Sequence, residues 1–139
     1  MSKLYSRVEI INLLASEEVS CFLSNYPITN MIMFGSITND EFTDDSDIDL
    51  ALVGDSTLNL DNILDLEIFL QNLLNREIDI LDLKSHSLDL FVKINILNTG
   101  KILYSTDNNE SFTILYDETD RLYKENENFI YFRKVDVLS

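Results

Sequence analysis

Cysteine, proline, glycine and positive charge are all scarce in this sequence, and each scarcity excludes something. One cysteine in 139 residues, Cys21, rules out an internal disulfide framework and a Cys-rich zinc site. Cys21 lies in an apolar helical pattern, so a buried structural thiol is expected. One proline and three glycines, beside 45% hydrophobic residues, describe a folded chain and not a linker or disordered tail. No run of 18 apolar residues exists, and the start MSKLYSRVEI lacks the apolar segment of a signal peptide. A cytoplasmic protein making no membrane contact is therefore expected. The length suits a single domain spanning 1–139, with no internal repeat or linker. The formal net charge is −15, and no Lys or Arg occurs between Arg7 and Arg76, an interval holding thirteen Asp or Glu. Direct nucleic-acid binding needs a basic stripe against the phosphates, which is missing here. A basic protein partner or a metal-escorted nucleotide suits such a chain better.

What the sequence does have is concentrated in MIMFGSITNDEFTDDSDIDLALV, from Met31 to Val53. An apolar run, Met31–Phe34, leads into Gly35-Ser36, followed by ten residues and then Asp47-Ile48-Asp49 opening a second apolar run. At period two, Asp47 and Asp49 project from one face of a strand while Ile48 and Leu50 face the other way. Adjacent carboxylates repel unless a cation sits between them, and Mg²⁺ with one or two carboxylates plus substrate phosphates answers that need. Gly35, lacking a Cβ, would let an anionic group approach the backbone. A calcium loop is the competing reading, and it fails. Counted from Asp45, position six is Leu50 where Gly is required, and position twelve is Ser56 where Glu is required.

Hydrophobic periodicity supplies the frame. A helix is expected from Ser6 to about Asn25, ended by Pro27, and a strand over Thr29–Phe34. A short helical turn from Ser36 and a solvated loop over Asp40–Ser46 follow, then a strand over Asp47–Val53. Leu60–Leu74 reads as a helix whose apolar face includes Leu60, Ile63, Leu64, Leu66, Leu70, Leu73 and Leu74. A third strand covers Glu77–Leu83, with Ile78, Ile80 and Leu81 as its candidates for burial. A helix covers Ser85–Asn98, closed by Gly100, and an edge strand covers Lys101–Tyr104. A long C-terminal helix spans Glu110–Lys134. The pattern predicts an α/β (α+β) domain with a small mixed sheet flanked by helices.

Gly35-Ser36, ten residues, then Asp47-x-Asp49 resembles the signature of the nucleotidyltransferase superfamily with the DNA polymerase β-like fold. The small size is similar to the minimal nucleotidyltransferases, and Asp79-Ile80-Leu81-Asp82-Leu83-Lys84-Ser85 resembles the corresponding run of MntA-type antitoxins, which pair with HEPN-domain toxins. The resemblance runs from Met31 to Tyr104. It implies that Asp79 completes a metal triad with Asp47 and Asp49, with Asp82 as the competitor on the opposite face and Glu77 as a near neighbour. It implies ATP as substrate, held at Gly35 and Ser36, and two Mg²⁺ ions, which in such sites lie about 3.5–4 Å apart. The implied reaction is transfer of AMP to a tyrosine of a HEPN RNase toxin, with pyrophosphate leaving. A non-catalytic antitoxin that acts by binding, and a nucleotidyltransferase acting on a small molecule such as an aminoglycoside, are the alternatives.

The chain departs from the family at Ile37-Thr38-Asn39-Asp40, where many relatives carry a basic residue or Gly. Lys84, Arg76 and Lys93 are the cations that could compensate. His86, the only histidine, reads as a polar residue at a helix start. Tyr116, Tyr123 and Tyr131 read as packing residues of the last helix, and the aromatic segment 129–132, beside Arg133-Lys134, as a docking surface.

Overall fold

The computed structural model describes residues 4–138, with side chains described as far as 126. The docking surface expected at 129–132, with Arg133 and Lys134, and the packing role of Tyr131 therefore lie outside the described side chains.

The N-terminal apolar pattern is cut into two helices, α1 (Arg7–Leu14) and α2 (Glu17–Leu23), where one was expected. Ser6 caps α1 in a reciprocal box with Glu9. Ser16 starts α2, its Oγ accepting the Val19 N–H while donating to the Leu13 carbonyl at 2.6 Å. The apolar period runs through this break, which is why periodicity alone conceals it. Cys21 is exposed, not buried: Val19 and Leu23 form the inward face of α2 and Cys21 points away from it.

Four strands follow the order β3-β2-β1-β4: β1 (Ile28–Phe34), β2 (Ile48–Gly54), β3 (Ile78–Asp82) and β4 (Lys101–Ser105). β1 pairs antiparallel with both β2 and β4, while β2 and β3 are parallel, so the sheet is mixed as expected, with β4 on an edge. Between β1 and β2 comes a 3₁₀ turn, η1 (Gly35–Thr38). The parallel crossover is α3 (Leu60–Leu74), capped by Asn59 and closed by a left-handed Asn75. The helix α4 (Leu90–Thr99) begins five residues later than expected. Asp89 is the cap, accepting the N–H groups of Phe91 and Val92, and the preceding Ser85–Leu88 segment is turn. The last helix is α5 (Glu110–Leu138).

Apolar alternation along β2 divides the core. Ile48, Leu50 and Leu52 face α1, α2 and α3 with Ile10, Leu23, Leu66 and Leu70. Ala51 and Val53 face α4 and α5 with Leu83, Ile96, Leu97 and Leu115. On β3, Ile78 is buried and Ile80 and Leu81 are half-buried. The expected apolar face of α3 needs a correction. Leu66, Leu70 and Leu74 are buried, but Leu60 and Leu64, together with Ile68, form an exposed stripe at i, i+4, i+8. An apolar residue count cannot separate two stripes on one helix.

Candidate active site

Gly35 ends β1 in the left-handed region, at φ 78°, and starts the 3₁₀ turn. A side chain there would be strained by the backbone, and it would also strike Asp49: an added Cβ would collide with Oδ2 and lie 3.3 Å from Cγ of that carboxylate. The glycine and the carboxylate are thus packed against each other, with no room between them for a methyl group. Ser36 follows, half-buried, and the turn closes when the Thr38 hydroxyl donates to the Gly35 carbonyl at 2.7 Å.

Sheet register brings in the third acid. Asp49 lies opposite Phe34 on β1 and beside Asp79 on β3. Asp47 precedes the strand, on the same side as Asp49. Both Asp47 and Asp79 are exposed, while Asp49 is half-buried between them. Burial first, then the charges of Asp79 and Asp47, push the Asp49 carboxyl above the ordinary carboxylate value. No three His, Cys, Asp or Glu side chains among the described residues are gathered tightly enough to hold a metal ion by themselves. An all-oxygen donor set of this kind suits Mg²⁺ in chemistry.

The competing acids fall out. Asp82, three residues beyond Asp79 and on the other face of β3, is buried and fully engaged: its two oxygens accept the N–H groups of Leu58 at 2.8 Å and Lys84 at 2.9 Å. It ties the β2–α3 connection to the end of β3. Glu77 is exposed just before β3, and its backbone carbonyl accepts the Ile48 N–H at 3.0 Å.

The expected cations are not at this end. Arg76 is spent on structure. Its side chain is 3% exposed, Nη1 donates to the carbonyls of Thr43, Asp44 and Ser46 at 2.8–3.2 Å, and the guanidinium stacks 4.5 Å over the Phe42 ring. It thereby fixes the loop that delivers Asp47. Lys84 follows the far end of β3, and Lys93 on α4 lines a cavity with it. Neither lies beside Gly35, which packs against Asp49 at the opposite end of β2. The cation that does reach the turn comes from α1, far from it in the chain. Arg7, half-buried on α1, donates from Nε to the Ile37 carbonyl at 2.7 Å. Its position as the last basic residue before a sixty-eight-residue acidic interval was the available signal. His86 lies in the turn before α4, exposed, and not within the helix. Tyr116 packs in the α4–α5 core with its hydroxyl donating to Asn98 Oδ1 at 2.6 Å, and Tyr123 meets Phe91 edge-on at 5.6 Å, as packing residues should.

The fold is that of known toxin–antitoxin components. A chain of a crystal structure of a toxin–antitoxin with AMP-PNP superposes with a TM-score of 0.71 at 21% identity, over 89% of this chain and 100% of that one. A chain of an MntA-HepT structure gives 0.68 at 20% identity, over 92% and 100%. A chain of the structure of a tri-AMPylated Shewanella oneidensis HEPN toxin with its MNT antitoxin gives 0.69 at 20% identity, over 96% and 100%. No curated protein sequence matches. The profile of the family described as Polymerase beta, Nucleotidyltransferase matches residues 17–109, which holds Gly35, Ser36, Asp47, Asp49 and Asp79 together. On that match, and with the glycine turn seated against the DxD strand, the chain belongs to the polymerase β-type nucleotidyltransferase family.

Proposed function

We propose that this single-domain chain, 1–139, is an antitoxin of the MntA type, an adenylyltransferase that moves AMP from ATP onto a tyrosine of a HEPN-domain toxin. The observation that carries the reading is the packing of Gly35 against Asp49, with Asp47 and Asp79 as the charges Asp49 feels. A phosphate chain arriving at the Gly35-Ser36 backbone comes to rest beside three carboxylates, an arrangement that makes sense only if phosphate and cation bind together. Asp47, Asp49 and Asp79 would hold Mg²⁺, which would neutralise phosphate charge and make the α-phosphorus more open to attack.

The chain's own residues have separate tasks. Gly35 and Ser36 seat the triphosphate through the backbone, and Arg7, anchored on the turn by Nε, keeps its terminal nitrogens for phosphate oxygens. Asp79, exposed on the edge strand β3, is open to an incoming hydroxyl and accepts its proton as that oxygen attacks the α-phosphorus. The P–O bond to pyrophosphate breaks as the bond to the tyrosine oxygen forms. The relatives' structures, one with AMP-PNP and one with an AMPylated toxin, support this choice of nucleotide and acceptor. The acidic surface between Arg7 and Arg76 suits a basic face on the toxin.

The test is intact mass spectrometry of the co-purified toxin after incubation with ATP and Mg²⁺. Wild type is expected to add one or more AMP masses, and the Asp47→Ala/Asp49→Ala double variant none. An unmodified toxin that both forms still silence would establish the second reading, a binding antitoxin. The Ile37–Asp40 segment, which brings no cation of its own to the turn, is the feature that favours that alternative.

A further inference from the structure

At the carboxyl ends of the parallel strands β2 and β3 there is a second concave site, of about 500 Å³. Ser56 and Thr57 follow β2, Lys84 and Ser85 follow β3, and Lys93 enters from α4. Three strand steps separate Asp79 from Asp82, roughly 10 Å at 3.3 Å per residue, and Lys84 follows in the turn beyond, so this cavity lies at the other end of β3 from the carboxylates. The carboxyl ends of parallel strands are where open α/β sheets most often take small ligands.

The cavity gathers two of the ten basic residues of a strongly acidic chain. The ammonium of Lys84 donates to the Asp55 carbonyl at a long 3.4 Å. The ammonium of Lys93 forms no ion pair within 4 Å and no hydrogen bond among the described residues. Burial holds Lys93 below the usual lysine range, with Lys84 adding to the depression, while Glu118 and Asp82 work against it. Glu118 is the one carboxylate in the lining, and both oxygens of Asp82 are already held by backbone N–H groups. Glu118 and Asp82 offset the two ammonium charges from a distance, and among the described residues neither carboxylate pairs directly with Lys84 or Lys93. The Ser56 hydroxyl adds a neutral donor, while those of Thr57 and Ser85 are engaged with the Lys84 carbonyl and Ser87 Oγ, and two ammoniums with a hydroxyl match the tetrahedral oxygens of a phosphate better than a planar carboxylate.

We propose that this cavity binds a small phosphate-bearing ligand between Lys84 and Lys93, at a site independent of the glycine turn and the DxD pair. Leu88, Leu90 and Leu115 line the remainder and give room for a compact apolar or ring portion beyond the phosphate.

Backbone amide NMR of the full chain, titrated with inorganic phosphate without magnesium at fixed ionic strength, tests it. Saturable shifts at Ser56, Thr57, Ser85 and His86 are expected, undiminished in Asp47→Ala/Asp49→Ala. Lys93→Gln should weaken the response at least about tenfold, the loss of one charge-assisted contact, and Lys93→Arg should largely restore it. A melting curve for each variant identifies any that fail to fold, and Lys84→Gln then serves in place of Lys93→Gln. Absent or non-saturating shifts would overturn the proposal. So would shifts centred on Gly35 and Ser36, an equal response to acetate, or lysine variants that bind as wild type does.

Discussion

The two ends of the β2–β3 pair are chemical opposites built on one register. At the amino ends stand Asp47, Asp49 and Asp79 with a glycine turn against them; at the carboxyl ends stand Lys84 and Lys93 around a hollow. The acids at one end repel one another, the lysines at the other are offset by Glu118 and Asp82, and the sheet between them is apolar and closely packed. The difference lies in support. The acidic end is fixed by backbone geometry, a left-handed glycine and a loop clamped by Arg76. The basic end is assembled from the segments that follow the strands, and its lysines are held loosely. Rigid placement at one end and adaptable side chains at the other are what a catalytic centre and a binding pocket respectively require.

The sharpest way to break the contrast is at Gly35. Gly35→Ala forces a Cβ into the Asp49 carboxylate at a positive φ, so AMP transfer should fall at least about 100-fold, the cost of a misplacement near 1 Å. Stability should fall by about 1–2 kcal/mol, read by urea unfolding. Retention of full activity would show that the glycine turn does not bear on the chemistry.

Arg76→Ala comes next. Removing a buried guanidinium leaves the carbonyls of Thr43, Asp44 and Ser46 without their donor, at about 2–3 kcal/mol. Arg121→Ala is the control, since its exposed i,i+4 pair with Glu125 should be worth about 0.5 kcal/mol or less. Equal losses in chemical denaturation would refute the clamp.

Arg7→Gln should act on substrate more than on fold. The predicted outcome is a KM for ATP raised about tenfold, the loss of one charge-assisted contact, with a smaller change in kcat. A kcat effect alone would move Arg7 out of ground-state phosphate binding.

The smallest effect is a pH-dependent one. The carboxyl of Asp49 has a raised pKa in the folded protein, so the folded state binds the extra proton. Stability is therefore lost as pH rises from the unfolded value, about 3.9, through the folded one. Asp49→Asn should melt slightly higher than wild type at pH 7 and lose that advantage below about pH 4. Added Mg²⁺ should raise the wild-type melting temperature and leave Asp49→Asn nearly unmoved.

Much of this was legible in the sequence because it is written in local patterns. Apolar runs mark the strands, Leu60 and Gly100 sit at real helix boundaries, and the Gly-Ser and DxD spacing survives as a contact between Gly35 and Asp49. What was hidden depends on side chains competing with periodicity or on distance along the chain. Ser16 and Asp89 start helices inside apolar patterns that run straight past them. The exposed Leu60–Leu64–Ile68 stripe looks no different from the buried one until the sheet is in place. Arg7 and Arg76 reach the site from about thirty residues away in either direction, a pairing no local motif encodes. Lys84 and Lys93 have the charge a phosphate turn needs, but they follow β3, whose run along the sheet puts them at its other end.

The Arg76 clamp grips main-chain oxygens, apart from one long contact of 3.9 Å to an 87% exposed Asp44. The shape of the loop is thus insulated from its spelling. Asp40, Glu41, Asp44 and Asp45 are exposed and can be exchanged without disturbing the delivery of Asp47. Substitutions in that acidic rim would change its charge and leave the position of the three carboxylates untouched. Ten adjacent residues are thus held at two levels, the rim by solvent alone and the carboxylate strand by the sheet.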